Sequence, residues 1–593
     1  MRIFLFLLLS PLLLFSHKLY YYVEFIGAPN KELENSLYTS SSLSIEHRSS
    51  FVESLGLLQY QAEAEIPHLY KVLQSYGYYE AQIQVKVEAK MDKALVSFFI
   101  TPRERYTLTS YKIILTDTSS LPPLSPSLLG LSIPQPVEAT LILQAEQNLL
   151  ERLGSYGFAL AHIKKREMVA DRKTKQLRIE MHVEPGPFSH FGPIQIQGLH
   201  KTKIKFIEKQ ILWKETDPYD SHKIELLQSR LMQTSLFSSV MVTNGDIQEP
   251  GAVIPLNIEI VETKSRSLNG GISYQTFFGP GATLGWENRN IAGLGQKLSL
   301  QADITKKTHS GTLTYLIPDL FVLDQDLSNQ LAASYETIYT YFERSYNLTS
   351  RFEKRIDTAY RMSAGLKLER LFVRKSVQNG NFSLLEVPLY FRWSNADDLL
   401  NPLKGNTIEY RAIPSFSKQQ SLQFYVAQTL CYMLYIPFKT GKNFVFAQKL
   451  LFNSIESKSL SSIPVPKRVL QGTDQEMRGY RYRTLSPLAL NPQETGEAKA
   501  LLPEGGRSGF FYTLETRFRI SQNLGLVPFF DIGIVSTSMF PKVTKDPWYY
   551  SAGIGIRYFS FLGPLRFDSA FPLKRRANID PRYRFLASIG QSF

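Results

Sequence analysis

Two periodicities divide the chain. From about Tyr20 to Glu262, apolar positions at helical spacing lead repeatedly into a turn and then into a two-residue alternation. The stretch YKVLQSYGYYEAQIQVKVEA, from Tyr70, is echoed by NLLERLGSYGFALAHIKKRE, from Asn148, and more weakly by LLQSRLMQTSLFSSVMVTNGD, from Leu226. Each of the first two helices is expected to stop where Gly77 or Gly157 takes the positive φ of a C-terminal cap. Ile83, Val85 and Val87 then mark the strand that follows. This repetition predicts three tandem copies of one small α+β module, a strand followed by two helices and two strands, with boundaries at 19–103, 104–186 and 187–263. HFGPIQIQGLHKTKIKF, from His190, supplies the opening strand and first helix of the third copy.

After Glu262 only the two-residue period remains. Leu298, Leu300, Ala302 and Ile304 alternate with Lys297, Ser299, Gln301 and Asp303. Tyr512, Leu514, Thr516, Phe518 and Ile520 alternate with Thr513, Glu515, Arg517 and Arg519, and Leu565, Phe567, Ser569 and Phe571 with Arg566, Asp568 and Ala570. One apolar and one charged face is the pattern of a strand between lipid and a polar lumen. About sixteen such segments fit between Arg266 and Phe593, the even number that a closed bacterial barrel requires. The expected fold class is therefore α+β repeats followed by a transmembrane antiparallel β-barrel over 264–593, with a lumen too wide for wall side chains alone to fill.

The N-terminus and the composition fit that picture. MRIFLFLLLSPLLLFSHK carries Arg2 and an apolar run from Ile3 to Phe15, shorter than the ~20 residues of a spanning helix and suited to a secretory signal over 1–18. A net charge of +14, from 67 Lys+Arg against 53 Asp+Glu, is dispersed along the chain, which is weak evidence for nucleic acid and equally suits work beside anionic lipid. Cys431 is the single cysteine, so intrachain disulfides and cysteine metal clusters are excluded, and its apolar neighbours suggest a buried structural thiol. Nine histidines show neither H-E-x-x-H nor H-x-x-E-H spacing. GPGATLGWENRNIAGLGQ, from Gly279, lies between strands and lacks the lysine of a phosphate loop. No catalytic residue, cofactor, metal or nucleic-acid partner is expected.

The candidate chemistry lies in the connection from about Glu456 to Ser508, between the eleventh and twelfth predicted strands. Structureless connections beyond ~12–15 residues are often functional. Here DQEMRGYRYRTLSP, Asp474 to Pro487, interleaves arginines with tyrosines. In a wide barrel such a loop can fold inward, and Arg478 can meet a carboxylate on the polar wall, where Glu515 and Asp531 are candidates. Gly479 is expected to let the backbone turn beside it.

MRGY, 477–480, resembles the [VI]RG[FY] signature of the sixth extracellular loop in the BamA/TamA family of outer-membrane assembly proteins. TLETRFRI (513–520), FFDIGIV (529–535), FLGPLRFDSAFPL (561–573) and the terminal FLASIGQSF resemble the strand motifs that follow it, in the same order. The repeats resemble POTRA modules, and three before a sixteen-stranded barrel is closer to TamA than to BamA. The resemblance implies that Arg478 pairs with Glu515 and Asp531, and that Gly479 and Tyr480 belong to the same lumenal lock. It also implies a weak lateral seam between the first strand, about Leu268 to Phe278, and the last, with Ile272, Ile589, Gly590 and Phe593 at or near it. Expected partners are outer-membrane lipid, unfolded outer-membrane or autotransporter clients, and a TamB-like inner-membrane protein at the repeats. Met477 departs from the usual Val or Ile, and the third repeat lacks the Tyr-Gly phrase. The competing expectation is a two-partner-secretion pore, which shares the loop and barrel but carries two modules and an N-terminal plug helix; a plain porin would leave the repeats without a role.

Overall fold

The computed structural model describes residues 19–46, 51–90, 93–115, 124–245, 253–438, 444–491, 501–560 and 563–589. The expected signal segment, 1–18, and the positions Gly590 and Phe593 lie outside the described residues. Two compact units form: the first two α/β modules belong to one, the barrel to the other, and the third module contributes to both.

In the first module the helix Leu55–Ser75 starts at Ser54, whose side chain accepts from the Leu57 N–H, and buries Leu58, Ala62, Leu69 and Leu73 on one face. Gly77 follows it at φ 85°, as Gly157 follows the helix Ala139–Ser155 at φ 99°. Strand Leu19–Ile26 lies parallel to Lys93–Thr101, with Gln82–Lys90 antiparallel on the outer edge. The second module repeats that arrangement with Thr107–Leu115, Gln176–Glu184 and His162–Asp171, and the third with His190–Gln197, Val253–Glu262 and Phe237–Asn244. The second module departs from the expected two helices. Among its described residues a single 3-10 turn, Pro126–Leu129, stands where the first helix was expected, closed by Gly130 at φ 91°. The sequence LPPLSPSLLG explains this, because prolines lack the N–H that a longer helix needs.

The barrel sheet contains seventeen strand segments, every neighbouring pair antiparallel, from Arg266–Gln275 to Arg584–Ile589. Gly380–Glu386 and Leu389–Ser394 both pair with Tyr360–Arg374 and with Gly405–Lys418, so they are two halves of one strand broken at Val387–Pro388. Sixteen positions result. Outward residues are apolar and exposed, among them Leu284, Leu300, Leu331 and Phe567. Inward charges are buried: Glu515 and Asp531 are 0% exposed, Arg566 and Asp568 2%. The first strand ends at Gln275, short of the expected Phe278, and Phe277 and Phe278 lie in the turn beyond it. Cys431 is buried, and lines an interior cavity of about 590 Å³ with Lys449 and Glu409. Among the described residues no helix is long and apolar enough to cross a membrane.

Candidate functional site

The connection between the eleventh strand, Phe444–Ser457, and the twelfth, Ser508–Arg519, folds into the barrel. It contains two 3-10 turns, Leu460–Ser462 and Val465–Lys467, and a short hairpin of Leu488–Leu490 with Leu501–Pro503. Ile463, Val465, Met477, Tyr480 and Leu485 are buried, and they pack with wall residues such as Leu371, Phe382 and Phe511. The loop thus supplies its own apolar core inside a polar-walled cylinder, which is why a segment without long secondary structure holds one conformation.

Arg478 lies at the centre of this core and is 0% exposed. Its Nη2 donates to Asp531 Oδ1 at 2.8 Å and its Nε to Asp531 Oδ2 at 3.1 Å, a bidentate pair. The backbone N–H of Arg478 also donates to Asp531 Oδ2, at 3.0 Å. Nη1 reaches Glu515 Oε1 at 2.7 Å and Asp568 Oδ2 at 3.4 Å. The guanidinium carbon sits 3.4 Å from the centre of the Phe529 ring, so one face of the cation is covered by an aromatic surface.

Three more arginines interleave with the same carboxylates. Arg517 Nε donates to Glu515 Oε2 at 3.1 Å, Arg557 Nη1 to Asp568 Oδ1 at 2.5 Å, and Arg566 Nε to Asp568 Oδ2 at 2.6 Å. Ser551 Oγ donates to Asp531 Oδ2 at 3.1 Å. Asp568, Arg557, Ser551 and Phe529 were not singled out from the sequence. Their signal was present: Asp568 shares the charged face of its strand with Arg566, and Asp531 and Ser551 are opposed on neighbouring strands. What the alternation does not encode is which inward residues on different strands come within 3 Å once the sheet curves.

Gly479 lies in the hydrogen-bonded turn from Met477 to Tyr480, closed by the Tyr480 N–H on the Met477 carbonyl at 3.0 Å, while positive φ falls on Met477, at 53°, and on Arg483, at 50°. A β-branched Val or Ile would be strained at Met477, so the unbranched side chain suits the conformation. Gly479 is needed for close approach, since a Cβ there would lie 2.6 Å from Pro572 N and 2.8 Å from Phe571 C, both backbone atoms. The Tyr480 hydroxyl lies 3.0 Å from the carbonyl of Tyr550 and 2.8 Å from that of Lys574, and its ring meets Tyr549 edge-on.

The loop is also held on the opposite wall. Lys467 pairs with Glu369 at 2.5 Å and Glu386 at 3.3 Å, which it shares with Lys367. Thr340 Oγ1 donates to the Arg483 carbonyl at 2.7 Å, and Gln378 Nε2 to the Ser461 carbonyl at 2.8 Å. Lys449 and Glu476 form a further buried pair beneath it.

At the ends of the sheet, Ile272 is 95% exposed on the first strand and Ile589 closes the last, paired with Leu565. Gly590 and Phe593 fall outside the described residues. Among the described residues no backbone hydrogen bond links the first strand to the last. Just beyond the first strand, Thr276 Oγ1 accepts from the Ala587 N–H at 3.3 Å. Thr276 is therefore beside this part of the last strand.

Comparison with known proteins follows the same division. An Omp85 superfamily domain matches residues 290–593, and a POTRA domain, the surface antigen variable number repeat, matches residues 189–263. The chain is similar to the outer membrane protein assembly factor BamA of Nitratidesulfovibrio vulgaris (strain Hildenborough), 24% identical over 542 residues, covering 88% of this chain and 66% of that protein. It is similar to the protein of the same name from Neisseria meningitidis serogroup B (strain MC58), 22% identical over 511 residues, covering 77% of this chain and 62% of that protein. The chain spans just under two thirds of the length of these curated relatives. In fold it resembles the crystal structure of BamA from Haemophilus ducreyi lacking POTRA domains 1-3, with a TM-score of 0.66 at 18% identity, over 81% of this chain and 99% of that one.

Proposed function

Because the chain belongs to the Omp85 superfamily, we propose that it is an outer-membrane assembly factor that assists unfolded β-barrel or autotransporter chains to fold and insert. The barrel sits in the outer membrane, and the α/β modules reach into the periplasm. The observation that carries this reading is the first strand. Arg266–Gln275 is exposed along most of its length, and its outer edge makes no backbone pair among the described residues. An unpaired strand edge is normally a liability, and at a lateral seam it becomes a template onto which an incoming strand can be added.

The lumenal loop keeps that edge usable. Arg478, with Glu515 and Asp531, fixes the loop to the wall on the side of the seam, Gly479 allows the close approach, and Tyr480 anchors the following residues. Ile272 belongs to the templating edge and Ile589 to the strand that parts from it, and the family resemblance extends that role to Gly590 and Phe593. All three α/β modules act as POTRA repeats in this proposal, and their number favours a TamA-like arrangement with a TamB-like inner-membrane partner at the first module. Neither catalytic residue nor cofactor enters the mechanism; the work is the exchange of strand pairing.

Reconstitution tests this. Liposomes containing the protein are expected to take up a urea-unfolded outer-membrane barrel client into a protease-resistant form faster than empty liposomes. Equal rates would remove the assembly reading.

A further inference from the structure

Among the described residues no ladder pairs the two edges of the seam, and the lumenal loop touches both sides of it. With the modules in the periplasm, the first strand runs outward, so its end at Gln275 and the start of the last strand at Arg584 share the extracellular end of the seam. On the first-strand side, Tyr482 stacks on Phe277, with ring centres 4.3 Å apart and planes at 23°, and meets Phe278 edge-on at 5.2 Å. Lys307, from the next hairpin, sits 3.6 Å from the Phe277 ring centre. On the last-strand side, the Arg584 guanidinium donates to the Tyr480 carbonyl, to the Arg478 carbonyl at 3.1 Å, to the Gly472 carbonyl at 3.4 Å and to the Asp474 carboxylate at 3.1 Å. Residues 478–482 therefore touch the wall clamp, the last strand and the turn that follows the first strand.

Lower down, among the described residues, the first strand is held by its ladder with the second strand, Gly279–Ile291, and by Ser267, which bonds Glu287 and Arg289. Gly270 and Gly271 are adjacent within it, and a Cβ added at Gly271 would meet nothing within 4 Å. These glycines are not demanded by crowding, and they leave the strand without side-chain packing at that point.

We propose that Tyr482 and Arg584 are the positioning residues of the seam, and that the loop, instead of strand pairing, closes its extracellular end. Tyr482 holds the first strand and Arg584 the last, through a loop fixed by Arg478. Parting then begins at the periplasmic end, where a client strand arrives, while the extracellular end stays tied. The consequence for client entry rests on the assembly reading above; the latch itself does not.

The test uses the full chain in liposomes, with Cys431→Ser and cysteines at positions 276 and 587. The rate of disulfide formation after addition of oxidant reports how long the two edges stay together. Tyr482→Ala and Arg584→Met are expected to slow it about two- to tenfold, the size an aromatic contact or a charged hydrogen-bond set of this kind supports. Tyr482→Phe, which keeps the stack, is expected to restore the rate, an outcome that general destabilisation does not produce. Phe277→Ala approaches the same contact from the strand side, should a loop variant fail to assemble. Unchanged rates in all of Tyr482→Ala, Phe277→Ala and Arg584→Met would overturn the latch. Client insertion is read separately: slowed cross-linking supports the latch even if the wild-type protein fails to accelerate insertion, which strikes only the assembly reading.

Discussion

Arg478 donates from its backbone amide and from three guanidinium nitrogens to carboxylates that are all removed from solvent. Leaving Asp531 buried without its cation costs roughly 3–5 kcal/mol, far more than the ~0–1 kcal/mol of a surface pair. Arg478→Ala is therefore expected to leave the barrel inserted but expose the loop, measured as new proteolytic cleavage between residues 458 and 507. Arg478→Lys should behave almost as badly, because an ammonium cannot reproduce the bidentate pair with Asp531. Gly479→Ala tests packing instead of charge: the atoms in the way belong to the backbone at Phe571 and Pro572 and cannot swing aside. It is expected to loosen the loop to a similar degree, and wild-type protection in this variant would contradict the close-approach argument. At this scale the sequence made Glu515 and Asp531 legible, because alternation assigns each an inward face. Asp568 and Arg557 sit on equally legible faces, but their meeting depends on the curvature of the closed sheet. The turn at Gly479 was legible too, but its close approach to Phe571 and Pro572 was not, since contact with another strand leaves no mark in the local sequence.

Among the elements, the loop is a cross-brace. One end is clamped to the twelfth to fifteenth strands through Arg478, the other to the seventh strand and the broken eighth through Lys467. Lys467→Met leaves Glu369 and Glu386 facing each other with Lys367 alone between them. Cleavage is then expected near residues 458–470 while the segment around Arg478 stays protected, and uniform protection would show that the far anchor is dispensable. The strands were readable from their two-residue period, including the total of sixteen positions. The break at Pro388 was not, because a strand interrupted for two residues keeps its alternation on both sides. The 3-10 turn in the second module shows the reverse case, in which three prolines over Pro122–Pro126 override a repeat-based expectation of helix.

For the whole molecule, three α/β units precede a barrel whose interior carries a folded loop. Such a lumen is not an open channel, so planar-bilayer recordings are expected to show small, irregular openings; a large, steady conductance would favour a transport pore. The overall division was legible because a change from helical to two-residue period is a global feature of the chain. The expectation of a weak seam came only through family resemblance, since an unpaired edge has the same alternation as a paired one. The central claim is that clients enter by parting of that seam, and the most direct measurement joins its two sides. With cysteines at positions 276 and 587 in a Cys431→Ser background, client insertion into liposomes is compared in the oxidised and reduced protein. The account predicts that oxidation abolishes the acceleration and that a thiol reductant restores it. Equal acceleration in the fully cross-linked protein would contradict it.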